Sequence, residues 1–148
     1  MKTRYTEFQV TDGSADTLRE IAARADGKFT FLYTKPQEVE WGFEAQHRML
    51  TIAEDSAAAL VYSDRYDRLP DGNLQAHPVI DYQKGSLRDD FDFGCVWLVR
   101  TKWLRDWAAQ GGLPQMRYSA LYDLRLFLSR QSAVLHVPER LYTESEKD

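Results

Sequence analysis

Apolar positions along the chain follow two alternating spacings. Extended runs rich in apolar, β-branched and aromatic residues predict strands near Tyr5–Val10, Phe29–Tyr33, Ala58–Tyr62, Cys95–Val99 and Val134–Val137. Helical spacing predicts helices near Ala15–Ala25, Gly42–Glu54, Thr101–Gln110 and Tyr118–Ser129. In the last of these helices, the apolar stripe consists of Leu121, Leu124 and Leu128. Because strands and helices alternate, the pattern predicts an α/β fold with a mostly parallel central sheet and helices on both faces.

The least regular part of the chain runs from Asp64 to Phe93. Within it, Asp71-Gly72-Asn73 is a hairpin-turn signal. We find no repeat and no sequence typical of an interdomain linker, and 148 residues is an ordinary length for one domain. We therefore expect a single domain over residues 1–148.

Composition narrows the class of protein. A hydrophobic content of 43% is enough for a real core, and the net charge of −4 lacks the basic excess of nucleic-acid binders. No apolar run approaches the roughly 20 residues that a membrane-spanning helix needs, and the first residues do not resemble a signal peptide. The sequence thus predicts a soluble, cytoplasmic protein with no nucleic-acid partner.

The turn Thr11–Thr17 stands between the first predicted strand and the first predicted helix. Ligands of α/β sheets bind at the carboxyl ends of strands. There Asp12 can accept hydrogen bonds from a base or a ribose, while Gly13 permits a sharp turn. Ser14 can cap the helix. An ordinary capped turn explains the same residues, so the turn alone leaves both interpretations open.

The order of several segments resembles family 2 glycosyltransferases, which are inverting enzymes with a GT-A fold. The turn resembles that family's nucleotide-binding segment, and four further segments follow in the family's order. These are Lys28–Tyr33 with its following helix Trp41–Asp55, Ala58–Asp64, Tyr122–Leu126 and Val137–Tyr142. The resemblance implies a nucleotide-diphospho-sugar donor and a saccharide or lipid-linked acceptor. It also implies that Asp12, Ser14 and Asp64 contact the donor.

The family's Asp-x-Asp metal motif has no counterpart here. Its position after the central strand reads Thr34-Lys35-Pro36. A bound Mg²⁺ or Mn²⁺ is thus implied by the resemblance, but the usual carboxylate ligands are absent. Lys35 can instead contact a diphosphate or remain a solvated lysine. Asp64 and Asp67 form a second possible carboxylate pair, and turn capping explains them equally well.

The family's catalytic base also lacks a direct match. Its position aligns with Leu121, and only the next acidic position of that segment, Asp123, is retained. Asp123 is therefore one candidate base, and a contact within its own helix is the alternative. Asp90, in the acidic cluster Asp89–Asp92, is the other candidate. A solvated loop is the alternative for that cluster.

The family opens with a strand and a loop that have no equivalent before Tyr5. The resemblance therefore implies either a short relative or part of a longer protein. Three functions stay open: a glycosyltransferase, a non-catalytic carbohydrate-binding or assembly module that kept the fold, and a purely structural α/β domain. Fold alone does not decide between them.

Overall fold

The computed structural model describes residues 4–12, 14–77, 94–110 and 120–146. Its strands and helices run in the following order: β1 (Tyr5–Gln9), α1 (Ala15–Arg24), β2 (Phe29–Tyr33), β3 (Gln37–Trp41), α2 (Ala45–Asp55), β4 (Leu60–Arg68), β5 (Leu74–His77), β6 (Val96–Arg100), α3 (Thr101–Ala108), α4 (Ala120–Gln131) and β7 (Val134–Glu146). Asp90 and Gly13, named above as candidates, lie outside the described residues.

The strands form one mixed sheet in the order β1-β2-β6-β4-β7-β3, with β5 paired to β4. In the described part of this sheet, β1 with β2 and β4 with β7 are parallel. The pairs β2 with β6, β4 with β6, β4 with β5 and β3 with β7 are antiparallel. The prediction of a mostly parallel, GT-A-like sheet is therefore wrong.

The reason for this error lies in connections that contain no helix. Two consecutive strands that pair in parallel need a crossover of a dozen or more residues, usually a helix. A short link joins consecutive strands that either pair antiparallel or do not pair with each other. Residues 34–36 alone separate β2 from β3, and residues 69–73 form the hairpin between β4 and β5. Neither β3 nor β5 was predicted, although the Asp71-Gly72-Asn73 turn was.

Two apolar layers cover the sheet. The layer formed with α1, α3 and α4 contains Leu32, Tyr62, Trp97 and Leu104, among other buried residues. The opposite layer, formed with α2, contains Phe31, Met49, Leu98 and Val137. Strands β2 and β6 are buried on both faces, and for this reason their sequences are almost continuously apolar.

The helices follow their sequence signals closely. Ser14 caps α1 by accepting a hydrogen bond from the Thr17 backbone N–H, and α1 ends at Arg24. In α4, Leu124 and Leu128 are fully buried and Leu121 is half-buried against the same layer. The predicted apolar stripe of α4 therefore faces the sheet, as its spacing indicated.

The sheet is strongly curled. Strands β2 and β3 are separated by β6, β4 and β7, which in a flat sheet would hold them roughly 19 Å apart. Instead, the rings of Phe31 and Trp41 meet at 5.4 Å between centroids. Trp41 Nε1 also donates a hydrogen bond to Tyr33 Oη at 3.2 Å. The sheet has thus curled until its two ends face each other on the α2 side.

Candidate functional site

An aromatic row crosses the sheet on the face covered by α1, α3 and α4. Tyr62 of β4 pairs in register with His136 of β7. The two rings stack, with centroids 5.0 Å apart and planes inclined by 9°. Continuing the β4–β6 register by one residue places Trp97 on the other side of Tyr62. Three neighbouring strands therefore supply a continuous row of rings, in which Tyr62 is fully buried and Trp97 is 5% exposed.

Asp64 lies beside this row, two residues beyond Tyr62 and on the same face. Its Oδ1 lies 2.7 Å from His136 Nε2. The two side chains are only 12% and 10% exposed, respectively. A carboxylate that holds one nitrogen of an imidazole fixes the ring's orientation and stabilises its protonated form. This pair can therefore orient a histidine for proton transfer.

Helix α4 adds a buried cation. The Arg125 guanidinium lies 5.8 Å from the Trp97 ring centroid and 5.6 Å from that of Tyr122. The residue is 6% exposed. Because a guanidinium keeps its charge when buried and recognises carboxylates and phosphates, Arg125 gives this face a fixed positive group.

The turn after β1 lies near the same edge of the sheet. Val10 N–H donates to the Tyr33 carbonyl, and Thr34 N–H donates to the Cys95 carbonyl. Carrying the β4–β6 register onward brings Asp64 to the level of Cys95. Asp12 and Asp64 therefore lie at the same end of the sheet, on or next to strands that are three positions apart in the sheet order.

Asp12 and Ser14 form the cap of α1. Asp12 Oδ1 accepts hydrogen bonds from Ser14 N–H at 2.9 Å and from Thr17 Oγ1 at 2.8 Å. Hydrogen bonds from the side chain and backbone of Ser14, and from Thr17, lower the pKa of the Asp12 carboxyl. The side chain is exposed, so it presents a stable negative charge to solvent at this edge.

The second candidate base, Asp123, has a partner on another helix. Trp107 Nε1 donates to Asp123 Oδ2 at 2.8 Å, and Trp107 is fully buried. This bond joins α3 to α4, whereas the sequence suggested a contact within α4. Asp123 therefore has a structural task in addition to any chemical one.

Asp64 and Asp67 do not come together as a carboxylate pair. Alternation along β4 turns Asp64 toward the aromatic row and Asp67 toward the opposite face. There Asp67 accepts a hydrogen bond from Arg65 Nε at 3.0 Å. Across the described ranges, no three His, Cys, Asp or Glu side chains converge as metal ligands would.

Sequence reasoning missed His136 and the role of Arg125. The signal for His136 is weak but present: it sits between Leu135 and Val137 in a strand, where an imidazole is unusual. Its partner Asp64 is 72 positions away. Only the β4–β7 register brings the two together.

No protein-family profile matches the chain, and no curated protein matches it significantly. None of the helices in the described part of the chain is long and apolar enough to cross a membrane.

Proposed function

We propose that the chain binds a nucleotide-diphospho-sugar at the edge marked by Asp12 and Asp64, and transfers the sugar to a saccharide or lipid-linked acceptor. The observation that carries the proposal is the buried Asp64–His136 pair beside the aromatic row. The pair supplies acid–base chemistry, and the fully buried Tyr62 ring, stacked on His136, holds the imidazole in place. The cytoplasmic location expected from the sequence belongs to the same proposal.

Inverting transfer requires removal of a proton from the acceptor hydroxyl. In this proposal His136 accepts that proton, while Asp64 orients the ring and stabilises the imidazolium. The acceptor oxygen forms a bond to the anomeric carbon as the bond from that carbon to the diphosphate breaks. The nucleoside diphosphate then leaves with the bonding electron pair. Asp123 is the competing candidate for the base.

The leaving diphosphate needs positive charge. Lys35 follows Thr34 at the end of β2, and its ammonium acts electrostatically on Cys95 at the same edge. Arg125 lies beside Trp97 on the face covered by α4 and is the second candidate cation. The Asp-x-Asp position is occupied by Thr34, Lys35 and Pro36, so we expect transfer to survive chelation of divalent metal.

The experiment is a nucleotide-release assay with UDP-, GDP- and dTDP-sugars and neutral oligosaccharide acceptors, with and without EDTA. The proposal expects acceptor-dependent release of nucleoside diphosphate, unchanged by EDTA and lost in His136→Phe. Glu139→Gln, which alters an exposed ion pair with Arg48 outside this site, is the matched control. If EDTA abolished the release of nucleoside diphosphate, the expectation that transfer needs no divalent metal would be contradicted. Equal release by His136→Phe would remove His136 as the base.

A second candidate is a non-catalytic carbohydrate-binding or assembly module. It is favoured by the hydrogen bonds that engage both Asp12 and Asp123 in structural tasks. This module would bind a saccharide or nucleotide-sugar and release no diphosphate from any of the donors in the assay.

A further inference from the structure

A groove opens on the other face of the sheet, between the two ends that the curl brings together. One wall comes from Glu7 and Gln9 of β1, and the other from β3. On β1, Phe8 and Val10 pack into the layer of α1, α3 and α4, so Glu7 and Gln9 point to the α2 side. The groove is open to solvent and offers about 870 Å³. It is therefore separate from the site of Asp64 and His136.

The floor of the groove is aromatic and held in place by hydrogen bonds. Trp41 Nε1 donates to Tyr33 Oη at 3.2 Å, and Tyr33 Oη donates in turn to Glu7. Gln46 of α2 donates from Nε2 to Glu7 Oε1 at 2.6 Å. Desolvation and the hydrogen bond to Glu7 raise the pKa of Tyr33, which favours the protonated phenol that donates to Glu7. The rings of Tyr33 and Trp41 thus form a fixed platform.

The walls are polar and carry a net negative charge. Glu7, Glu38 and Glu40 line the groove, and Arg68 is the only basic residue among its described lining residues. Arg68 is bound to Glu40 at 3.2 Å. Like charges repel a phosphate or an acidic sugar, so this groove disfavours the anionic donor that the opposite face would take.

We propose that this groove binds a neutral oligosaccharide. The apolar face of a pyranose ring packs on Tyr33 and Trp41, because aromatic rings offer rigid apolar area with polar edges. Gln9 Nε2 already donates to the Tyr33 and Lys35 carbonyls, so a neighbouring hydroxyl donates to the Gln9 amide oxygen. Another hydroxyl accepts from Gln46 Nε2, which has two N–H groups and donates one of them to Glu7. The volume is ample for two or three sugar rings by comparison with ordinary ligand pockets of about 300–1,000 Å³. This binding does not depend on nucleotide binding at the other face.

The test is a titration of the ¹⁵N-labelled chain, followed by NMR. The probes are maltotriose, cellotriose, chitotriose and mannotriose, with trigalacturonate as the anionic counterpart. The Trp41 indole N–H and the Gln46 side-chain amide report on the groove directly. At least one neutral trisaccharide should shift both signals, and Gln46→Ala should weaken that binding about five-fold or more. Gln75→Ala, an exposed glutamine on β5 outside the groove, should leave it unchanged.

Three outcomes would overturn the proposal: no neutral trisaccharide shifts these signals, trigalacturonate binds as well as the neutral probes, or Gln46→Ala binds as the wild type does. A separate titration with UDP distinguishes this proposal from the donor site. If UDP shifts signals near Asp12 and leaves Trp41 unchanged, the two sites are separate. If UDP does not bind while a neutral trisaccharide does, the donor proposal fails and this one stands.

Discussion

His136 Nε2 lies 2.7 Å from Asp64 Oδ1, and both of these side chains are almost fully buried. When a buried polar group loses its hydrogen-bond partner, its desolvation penalty is no longer compensated and the folded state is destabilised. At the surface, water replaces the lost partner. The Asp64–His136 bond should therefore contribute to folding stability as well as to chemistry.

His136→Phe keeps a ring against Tyr62 and removes this hydrogen bond. We expect the free energy of unfolding to fall by about 1–3 kcal/mol, measured by urea denaturation. Glu139→Gln, at the exposed pair with Arg48, should change it by much less. Equal effects at the two pairs would contradict the buried character of the Asp64–His136 bond.

Leu124→Ala tests the packing of α4 on the sheet. Leu124 is fully buried in the layer with Tyr62 and Trp97, so its truncation should cost about 2–5 kcal/mol. Leu121→Ala, at a half-buried position of the same stripe, should cost less. A loss below about half a kcal/mol at Leu124 would show that the helix register is wrong.

Asp123→Asn separates the structural from the chemical role of Asp123. An asparagine oxygen can still accept the hydrogen bond from Trp107 Nε1, so thermal stability should change little. If Asp123 is the base, nucleotide release in the assay above should be lost. If His136 is the base, as we propose, release should persist in Asp123→Asn and disappear in His136→Phe.

Alkaline pH should destabilise the protein through Cys95. Burial, followed by the charge of Glu144, raises the pKa of this thiol to about 12, from an ordinary value near 9. The unfolded chain therefore loses this proton first as pH rises. The stabilisation is complete below pH 9 and is lost progressively between pH 9 and 12. Tyr142, whose pKa is also raised by burial, acts in the same direction.

Thermal unfolding midpoints between pH 8 and pH 11 check this expectation. The wild-type midpoint should fall above pH 9, and Cys95→Ser, which does not titrate in this range, should fall less steeply between pH 9 and 10. The readout is the slope of the unfolding midpoint against pH, because this slope reports on the thiol and the absolute stability of the variant does not. Parallel curves for the two proteins would contradict the assignment to Cys95.

The sequence correctly predicted those helices and strands whose signals lie within a few neighbouring positions. The prediction for β2 matches at both ends, and that for α1 differs by one residue, because an apolar run and a Ser cap are signals within a few positions. The strand β3 was missed because an edge strand carries charges that resemble a loop, as in Gln37-Glu38-Val39-Glu40-Trp41. Strand direction was also misjudged, since it depends on connections rather than on the strands themselves.

The residues of the candidate site also differ in whether neighbouring sequence positions could predict their contacts. Asp12 and Ser14 belong to one turn, and their capping geometry was accessible from their spacing. Asp64 and His136 meet only through the pairing of β4 with β7, which includes register shifts next to Asp64. A register that changes within a strand cannot be read from alternation. For this reason, the pair with the clearest chemical capacity was the least predictable from sequence.

The most direct measurement of the central claim is calorimetric titration of the chain with UDP and GDP in EDTA. Asp12→Asn retains an oxygen for the cap of α1 and removes the charge, and Asp64→Asn does the same beside His136. Asp26→Asn, an exposed aspartate paired with Arg4, is the control. We predict binding of at least one nucleotide by the wild type and by Asp26→Asn, with affinity about five-fold or more weaker in both test variants. Absence of binding by the wild type, or equal affinity in all four proteins, would contradict a nucleotide site at this edge of the sheet.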